Sequence, residues 1–190
     1  KEKSFINSAI NDTERLNNLV ENALLANLID HKGYSFGFEE LNLSALMRLQ
    51  IQKLQSVPEP PKFETHIEEG LHISGDKNAL TLMFSNLIEN SLKYSPKDAP
   101  LGIDLKLEDK KVTLCISDHG PGIPSEEKDK IFKKFYRLGN EETRKTKGTG
   151  LGLFIVKYIV KGHKGNILVK DNKPSGTIFC IQFPPLAKPA

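Results

Sequence analysis

Two asparagines and a lysine stand about one helical turn apart in Asn86-Leu-Ile-Glu-Asn90-Ser-Leu-Lys93. At about 100° per residue, Asn86, Asn90 and Lys93 share one narrow sector of a helix, and Leu80, Phe84, Leu87 and Ser91 form the opposing side. Asparagine competes with the helix backbone for hydrogen bonds, so two of them in line need a reason. Amide oxygens suit a hard cation such as Mg2+, and an ammonium suits a phosphate. A plain polar stripe is the alternative.

Three glycine groups narrow the choice. Asp118-His119-Gly120-Pro121-Gly122-Ile123 follows an apolar strand pattern, Gly148-Thr149-Gly150-Leu151-Gly152-Leu153 opens an apolar helix pattern, and Gly176-Thr177 starts a last strand. A glycine-rich turn feeding a helix N-terminus leaves backbone N–H groups free and lets an anion approach closely. No glycine is followed by lysine, which excludes a P-loop, and neither of the two longer groups has its third glycine in the dinucleotide-fold register. A buried aspartate beside two glycines can instead accept a hydrogen bond from an amino group such as that of adenine.

The elements that must position these residues follow from periodicity. Residues 4 to about 30 read as one amphipathic helix, with Ile6, Ala9, Thr13, Leu16, Val20, Ala23 and Asn27 at alternating spacings of three and four. Such a wide apolar face needs a partner helix, which makes weak self-association the expectation. Leu41 to Gln55 reads as a second, shorter helical stretch, and Pro58-Glu59-Pro60-Pro61 punctuates the chain after it. Strands are then expected over 62–68 and 71–74, and a helix from Asp76 to Tyr94. A hairpin over 102–108 and 111–118, a short helix near Ser125 to Phe132 and a polar loop over 139–147 come next. A helix from Gly150 to Lys161 and strands over 165–170 and 176–183 finish the chain. The pattern is α+β, one sheet with helices on one face.

Bulk properties exclude more than they select. The 190 residues carry 38% hydrophobic and 27% charged side chains, enough to build a core and too few charges for global disorder. The longest mainly apolar run, Gly150 to Val156, is far short of the roughly 20 residues of a membrane helix, and no secretory signal pattern is present. Cys115 and Cys180 each lie in an alternating stretch and read as two buried strand thiols of a reduced protein. The five histidines show no metal-ligand spacing. Net charge is only +3, yet Lys130 to Lys147 holds seven basic residues against two acidic ones. That stretch is either a solvated surface or an anion site.

With these residues in view, the chain resembles the sensor histidine kinases of two-component systems. Asn86-Leu-Ile-Glu-Asn90-Ser-Leu-Lys93-Tyr94-Ser95 looks like their N box, and Asp118 to Ile123 like the first glycine box. Phe132-Lys-Lys-Phe135-Tyr136-Arg137 looks like the F box, Lys147 to Leu153 like the second glycine box, and Gly176-Thr177-Ile-Phe179 like the third. Thr13 to Asn22 resembles the second helix of the dimerisation hairpin. The resemblance implies a Bergerat-type fold, a mixed sheet packed on three helices, with ATP and Mg2+ as ligands. It implies a partial hairpin helix over 1–32, a connecting segment over 33–61, a catalytic ATP-binding domain over 62–186 and a tail over 187–190.

By the same resemblance, Asp118 accepts the adenine amino group, with Gly120, Gly122 and Ile123 shaping that end and Thr177 completing the hydrogen bonds. Asn90 holds Mg2+ with Asn86 in support, Lys93 and Tyr94 approach the phosphates and ribose, and Phe135 belongs to the pocket wall. Arg137 and Lys147 neutralise phosphate charge, and the amides of Gly148, Thr149, Gly150, Leu151, Gly152 and Leu153 cradle the triphosphate. Asn86, Lys93 and Arg137 are the expected catalytic residues.

None of the five histidines has the setting of the family's phosphoacceptor. His163, near a helix end, reads as a capping or packing residue. The expectation is therefore a fragment acting on an acceptor-histidine helix of the full-length kinase, a homodimer through its hairpin helices. A response regulator is its downstream partner, nucleic acid is no partner, and the domain lies in the cytoplasm of a protein often anchored in the inner membrane. Three other readings compete with this one: an ATP-driven clamp of the gyrase, mismatch-repair ATPase and heat-shock chaperone type, a serine/threonine kinase of the anti-sigma type, and a nucleotide-binding module without catalysis. The clamps carry a glutamate as general base where this chain has Asn86, an amide that cannot take a proton.

Overall fold

The computed structural model describes residues 13, 20, 22–29, 31, 33–139 and 148–186. After a helical stretch over 22–29, the elements are β1 (Glu39–Asn42), α1 (Leu43–Gln55), β2 (Phe63–Ile67), β3 (His72–Gly75) and α2 (Lys77–Tyr94). Then come β4 (Leu101–Glu108), β5 (Lys111–Ser117), 3-10 turns at Ser125–Glu127 and Lys130–Phe132, α3 (Gly152–Gly162), β6 (Asn166–Asp171) and β7 (Thr177–Phe183). Most of the expected helix over 4–30, the loop over 140–147 and the tail over 187–190 lie outside the described residues.

Strand alternation builds the main sheet. Leu101, Ile103 and Leu105 of β4, Val112, Leu114 and Ile116 of β5, and Phe179, Ile181 and Phe183 of β7 are all buried in one core cluster with α2 and α3. Their order is β2-β4-β5-β7-β6, parallel between β2 and β4 and antiparallel elsewhere, so the α+β mixed sheet is the architecture found. The β4–β5 hairpin turns through Asp109 (φ 49°) and Lys110 (φ 57°), both left-handed, as a two-residue turn matched to strand twist demands.

Three expectations need correction. The stretch Leu41 to Gln55 is not helical throughout: Leu41 and Asn42 belong to β1, which pairs antiparallel with β3 in a separate two-stranded sheet. The Asn42 side chain accepts from the Ala45 N–H at 2.9 Å, and this cap fixes where α1 begins. The short helix near Ser125 to Phe132 is two 3-10 turns, because only Ile131 and Phe132 are buried there and no apolar face holds a full α-helix together. Finally, Cys115 and Cys180 are not separate thiols but a disulfide. They are direct partners across β5 and β7, with Cα atoms 4.1 Å apart, a proximity that strand order creates and alternation alone cannot reveal.

Residues 34–38 are held to the domain by aromatic and polar contacts. Phe36 stacks on Tyr158 at 5.6 Å and meets His163 edge-on at 5.1 Å; a Cβ on Gly162 would lie 2.2 Å from the Phe36 ring, so that slot requires glycine. Asp76 ties the same corner together. Its Oδ1 caps α2 by accepting from Ala79 N–H, its Oδ2 accepts from Gly37 N–H, and its own N–H donates to His163 Nε2 at 2.9 Å. With Nε2 an acceptor, the proton sits on Nδ1, which donates to the Ile159 carbonyl at 2.7 Å. His163 thus fills the packing role expected of it, at the C-cap of α3. On the helical stretch, Leu25 and Ala26 are buried while Val20, Leu24 and Leu28 are exposed along one line. Among the described residues no helix is long and apolar enough to cross a membrane.

Burial holds the His163 imidazole below its ordinary value of 6.5, against the opposing pull of the Ile159 carbonyl and Asp76. A lowered folded value means that the unfolded chain takes up the proton first, so the stability His163 contributes is complete above about pH 6.5 and is lost as pH falls below it. Melting temperature should therefore drop on acidification from pH 7 to 5. The drop should be shallower in His163→Gln; equal slopes in the two proteins by calorimetry would contradict the assignment.

Candidate functional site

Asp118 directly follows β5 and is only 3% exposed. Its Oδ1 accepts two backbone hydrogen bonds, from Gly120 N–H at 2.8 Å and Thr177 N–H at 3.1 Å, and its own N–H donates to the Thr177 carbonyl at 2.8 Å. Among the described residues Oδ2 has no hydrogen-bond partner. Burial raises the carboxyl above its ordinary value, and the two backbone N–H groups and His119 offset this only in part. The outcome is a largely buried carboxyl with one oxygen fixed by two backbone N–H groups and the other making no bond to the described residues.

The glycines show why this corner is tight. A Cβ on Gly176 (φ 128°) would lie 1.9 Å from the Asp118 carbonyl oxygen, so nothing but glycine fits where β7 begins. Asn172 seals the other side, its Nδ2 donating to the same carbonyl at 2.8 Å. Gly120 sits against the Tyr94 carbonyl, and the next backbone N–H upstream, that of His119, donates to Ser95 Oγ at 3.1 Å. The end of α2 is thereby fastened to the loop after β5. Asn172 and Ser95 carry no role in the sequence reading. Asn172 lies 54 residues from its partner, with no spacing signal to join them.

The other end of the site is built from α2 and the start of α3. Asn86 is buried and donates its Nδ2 to the Leu82 carbonyl at 3.1 Å, which leaves Oδ1 facing Gly152; a Cβ there would come within 2.7 Å of that oxygen. Lys93 lies over the Tyr94 ring at 4.9 Å, and its Nζ is 2.6 Å from where a Cβ on Gly148 would stand. Asn90 is half-buried, and among the described residues its carboxamide makes no hydrogen bond. An amide oxygen in that condition fits the donor type that Mg2+ takes. No group of three His, Cys, Asp or Glu side chains that could hold a metal occurs among the described residues.

No side chain caps the N-terminus of α3, so its first-turn amides are not satisfied by a cap. Phe135, at φ 64°, donates its N–H to the Gly150 carbonyl at 3.1 Å, and a Cβ on Gly150 would strike the Phe135 and Tyr136 backbone. The F-box segment is thereby anchored to the second glycine group. Tyr136 bonds Glu127, which also pairs with Lys130 at 3.0 Å. Ile123 and Arg137 are half-buried, Thr149 is exposed, and the Leu151 side chain is buried in the core, leaving only its backbone for a ligand. Lys147 lies outside the described residues. Close contacts thus run from Asn86 to Gly152, Lys93 to Gly148, Tyr94 to Gly120 and Asp118 to Gly176, bringing the N-box and glycine-box residues around one site.

The sequence profile of the family described as histidine kinase-, DNA gyrase B- and HSP90-like ATPase matches residues 75–187. The sensor histidine kinase WalK of Bacillus subtilis (strain 168) is 32% identical over 189 residues, 95% of this chain and 30% of WalK. The sensor protein CiaH of Streptococcus pneumoniae serotype 4 is 41% identical over 122 residues, 64% of this chain and 27% of CiaH. The chain therefore spans about a third of the length of these relatives. Among solved structures, the mycobacterial sensor histidine kinase MprB superposes with a TM-score of 0.68 at 30% identity, covering 77% of this chain and 98% of that one. The histidine kinase AdeS of Acinetobacter baumannii superposes with 0.69 at 25% identity, covering 96% and 84%.

A raised carboxyl at Asp118 means that its ionised form costs stability at neutral pH when nothing satisfies Oδ2. Asp118→Asn keeps an oxygen for the Gly120 and Thr177 N–H groups and removes the charge. The ligand-free variant should melt higher than the parent at pH 7.5, by about 2–5 °C. The gap should narrow on acidification as Asp118 itself takes up a proton. A lower melting temperature for the variant would mean that the carboxylate is stabilising where it stands.

Proposed function

This chain belongs to the histidine kinase-, DNA gyrase B- and HSP90-like ATPase family and carries the ATP-binding catalytic domain of a sensor histidine kinase, and on that premise we propose that it passes the γ-phosphoryl group of ATP to a histidine not among its own five. The observation that carries the reading is the half-satisfied Asp118: one oxygen held by two backbone N–H groups, the other open in a corner walled by glycine. An adenine amino group is a donor of the right kind for that oxygen. Thr177 holds the carboxylate in place, and Gly120, Gly122 and Ile123 line the base end.

At the phosphate end, the Asn90 oxygen would hold Mg2+, with the Asn86 amide beside it. Mg2+ when bound supplies charge neutralisation between the phosphates. Lys93, poised between the Tyr94 ring and Gly148, sits where an ammonium can meet a phosphate. The amides of Gly148 to Leu153 at the uncapped start of α3 receive the triphosphate, Phe135 fastens the segment over them, and Arg137 and Lys147 add positive charge as the γ-phosphoryl leaves. We take residues 62–186 as the catalytic domain, with β1 and α1 packed on it and residues 1–32 as the hairpin helix.

One feature favours transfer over hydrolysis. Asn86 is an amide already donating to Leu82, and it cannot deprotonate water. His163 is buried with both ring nitrogens engaged, which argues against it as an acceptor. The acceptor would lie on the first helix of the hairpin in the full-length kinase, and its phosphoryl group would then pass to a response regulator. The exposed line Val20, Leu24 and Leu28 suits packing against a second copy. The domain itself is expected in the cytoplasm.

Calorimetry with a non-hydrolysable ATP analogue tests the assignments. Asn90→Ala should remove most of the Mg2+ dependence and weaken binding by about tenfold or more. Asp118→Ala should erase the preference for adenine over guanine nucleotides. With an acceptor-helix fragment supplied in trans, Arg137→Ala should cut the rate of transfer more than binding, and equal losses in both would remove it from the transition state. Incubation of this chain alone with labelled ATP should leave no acid-labile label. Label on any of the five histidines would overturn the assignment of the acceptor.

A further inference from the structure

The face of the main sheet turned away from α2 and α3 carries a groove of about 530 Å³, remote in kind from the nucleotide site because none of the Asn86, Asn90, Asp118 or Thr177 side chains lines it. The Cys115–Cys180 pair forms part of its wall, with His66, Asp104, Lys106 and Lys170 around it. Register puts four of these in one row: His66 is partnered with Asp104, Asp104 with Cys115, and Cys115 with Cys180. The two sulfurs differ in access, because Cys115 is half-buried and Cys180 is only 3% exposed. We propose that this pair is a reversible dithiol–disulfide site, entered from the groove through Cys115, whose substrates are thiol reductants in one direction and peroxide-class oxidants in the other.

In the reducing direction a thiolate from the groove attacks Cys115 Sγ, the intramolecular S–S bond breaks, and the electron pair leaves with Cys180 as its thiolate. A second thiol then attacks the mixed disulfide at the reductant's sulfur and frees Cys115; the reductant ends as a disulfide. In the oxidising direction the Cys115 thiolate attacks one peroxide oxygen, giving a sulfenic acid and one water. Cys180 displaces the second water, so two thiols and one peroxide yield one disulfide and two waters. No change of fold is needed in either direction, because direct register holds the two residues opposite each other whether or not the bond is present.

The consequence falls on the nucleotide domain. The bond joins β5 three residues before Asp118 to β7 three residues after Thr177, and it closes a loop whose ends are 65 residues apart in sequence. That loop contains all three glycine boxes and the F box. Constraining so long a loop restricts the unfolded chain, so the oxidised protein is the more stable form. The existing β5–β7 ladder keeps Asp118 and Thr177 together in both forms. This inference does not depend on the nucleotide reading.

The test treats the folded 190-residue chain with glutathione or dithiothreitol, quenches with N-ethylmaleimide and maps the labels by mass spectrometry. Two thiols should be released without denaturant, the trapped glutathione adduct should sit on Cys115, and hydrogen peroxide should restore the disulfide. The reduced form should melt about 5 °C or more below the oxidised form. Cys115→Ser should melt like the reduced form under both conditions and leave Cys180 unreactive towards glutathione disulfide, while Cys180→Ser should leave Cys115 reactive. Thiols released only in denaturant, an adduct on Cys180, free thiols that peroxide does not join, or equal melting of the two forms would each overturn the proposal.

Discussion

A carboxylate buried to 3% exposure at the end of β5 is the feature on which the rest of the site depends. Burial pushes the Asp118 carboxyl up, and the Gly120 and Thr177 N–H groups that offset part of this reach it only because glycine stands at 120 and 176. Burial of a charge with incomplete pairing is unfavourable in the free protein. On the proposed reading, the same incompleteness would make the corner selective, favouring a ligand that donates to the second oxygen over one that accepts there. On that reading, stability and recognition would be set against each other in one residue.

The residues of the site were legible where a local pattern encodes them. Asn86, Asn90 and Lys93 announce themselves by helical spacing, and the glycines by their clustering at strand and helix ends, since both are properties of adjacent turns of chain. Asn172 and Ser95 were not legible: each acts through one hydrogen bond to a distant partner, and neither contact leaves a periodicity. The fold divides in the same way. Strands and helices with an alternating or amphipathic face were readable almost to the residue, whereas β1, four residues long with two exposed, becomes a strand only because β3 lies beside it.

The disulfide is the sharpest case of information that resides in topology. Each cysteine sits at an outward position of an alternating strand, and both strands are identifiable. What cannot be read from either is that β7 lies against β5 in the register that sets residue 115 opposite residue 180. Compositional reasoning about two cysteines in a globular chain points to free thiols, and it fails because it ignores who the neighbours are. The Asp76–His163 corner shares this character: a histidine near a helix end reads as a cap, but its bond to the Asp76 N–H, 87 residues away, exists only in the folded chain.

That corner and the Asp118 corner stand at opposite ends of the same helix. Asp76 caps the N-terminus of α2 and holds Gly37, while Tyr94 and Ser95 at its C-terminus hold Gly120 and His119. Between them lie Asn86, Asn90 and Lys93 on one face and a buried apolar face on the other. A rigid element of 18 residues, fixed at both ends by side chain–backbone hydrogen bonds, cannot rotate its amides away from the glycine loops without releasing one of those ends. The pairing of Asn86 with Gly152 then follows from packing α2 on α3, and the two asparagines remain aligned although their helix propensity is poor. Local cost along the helix is accepted because the ends, and not the middle, decide its orientation.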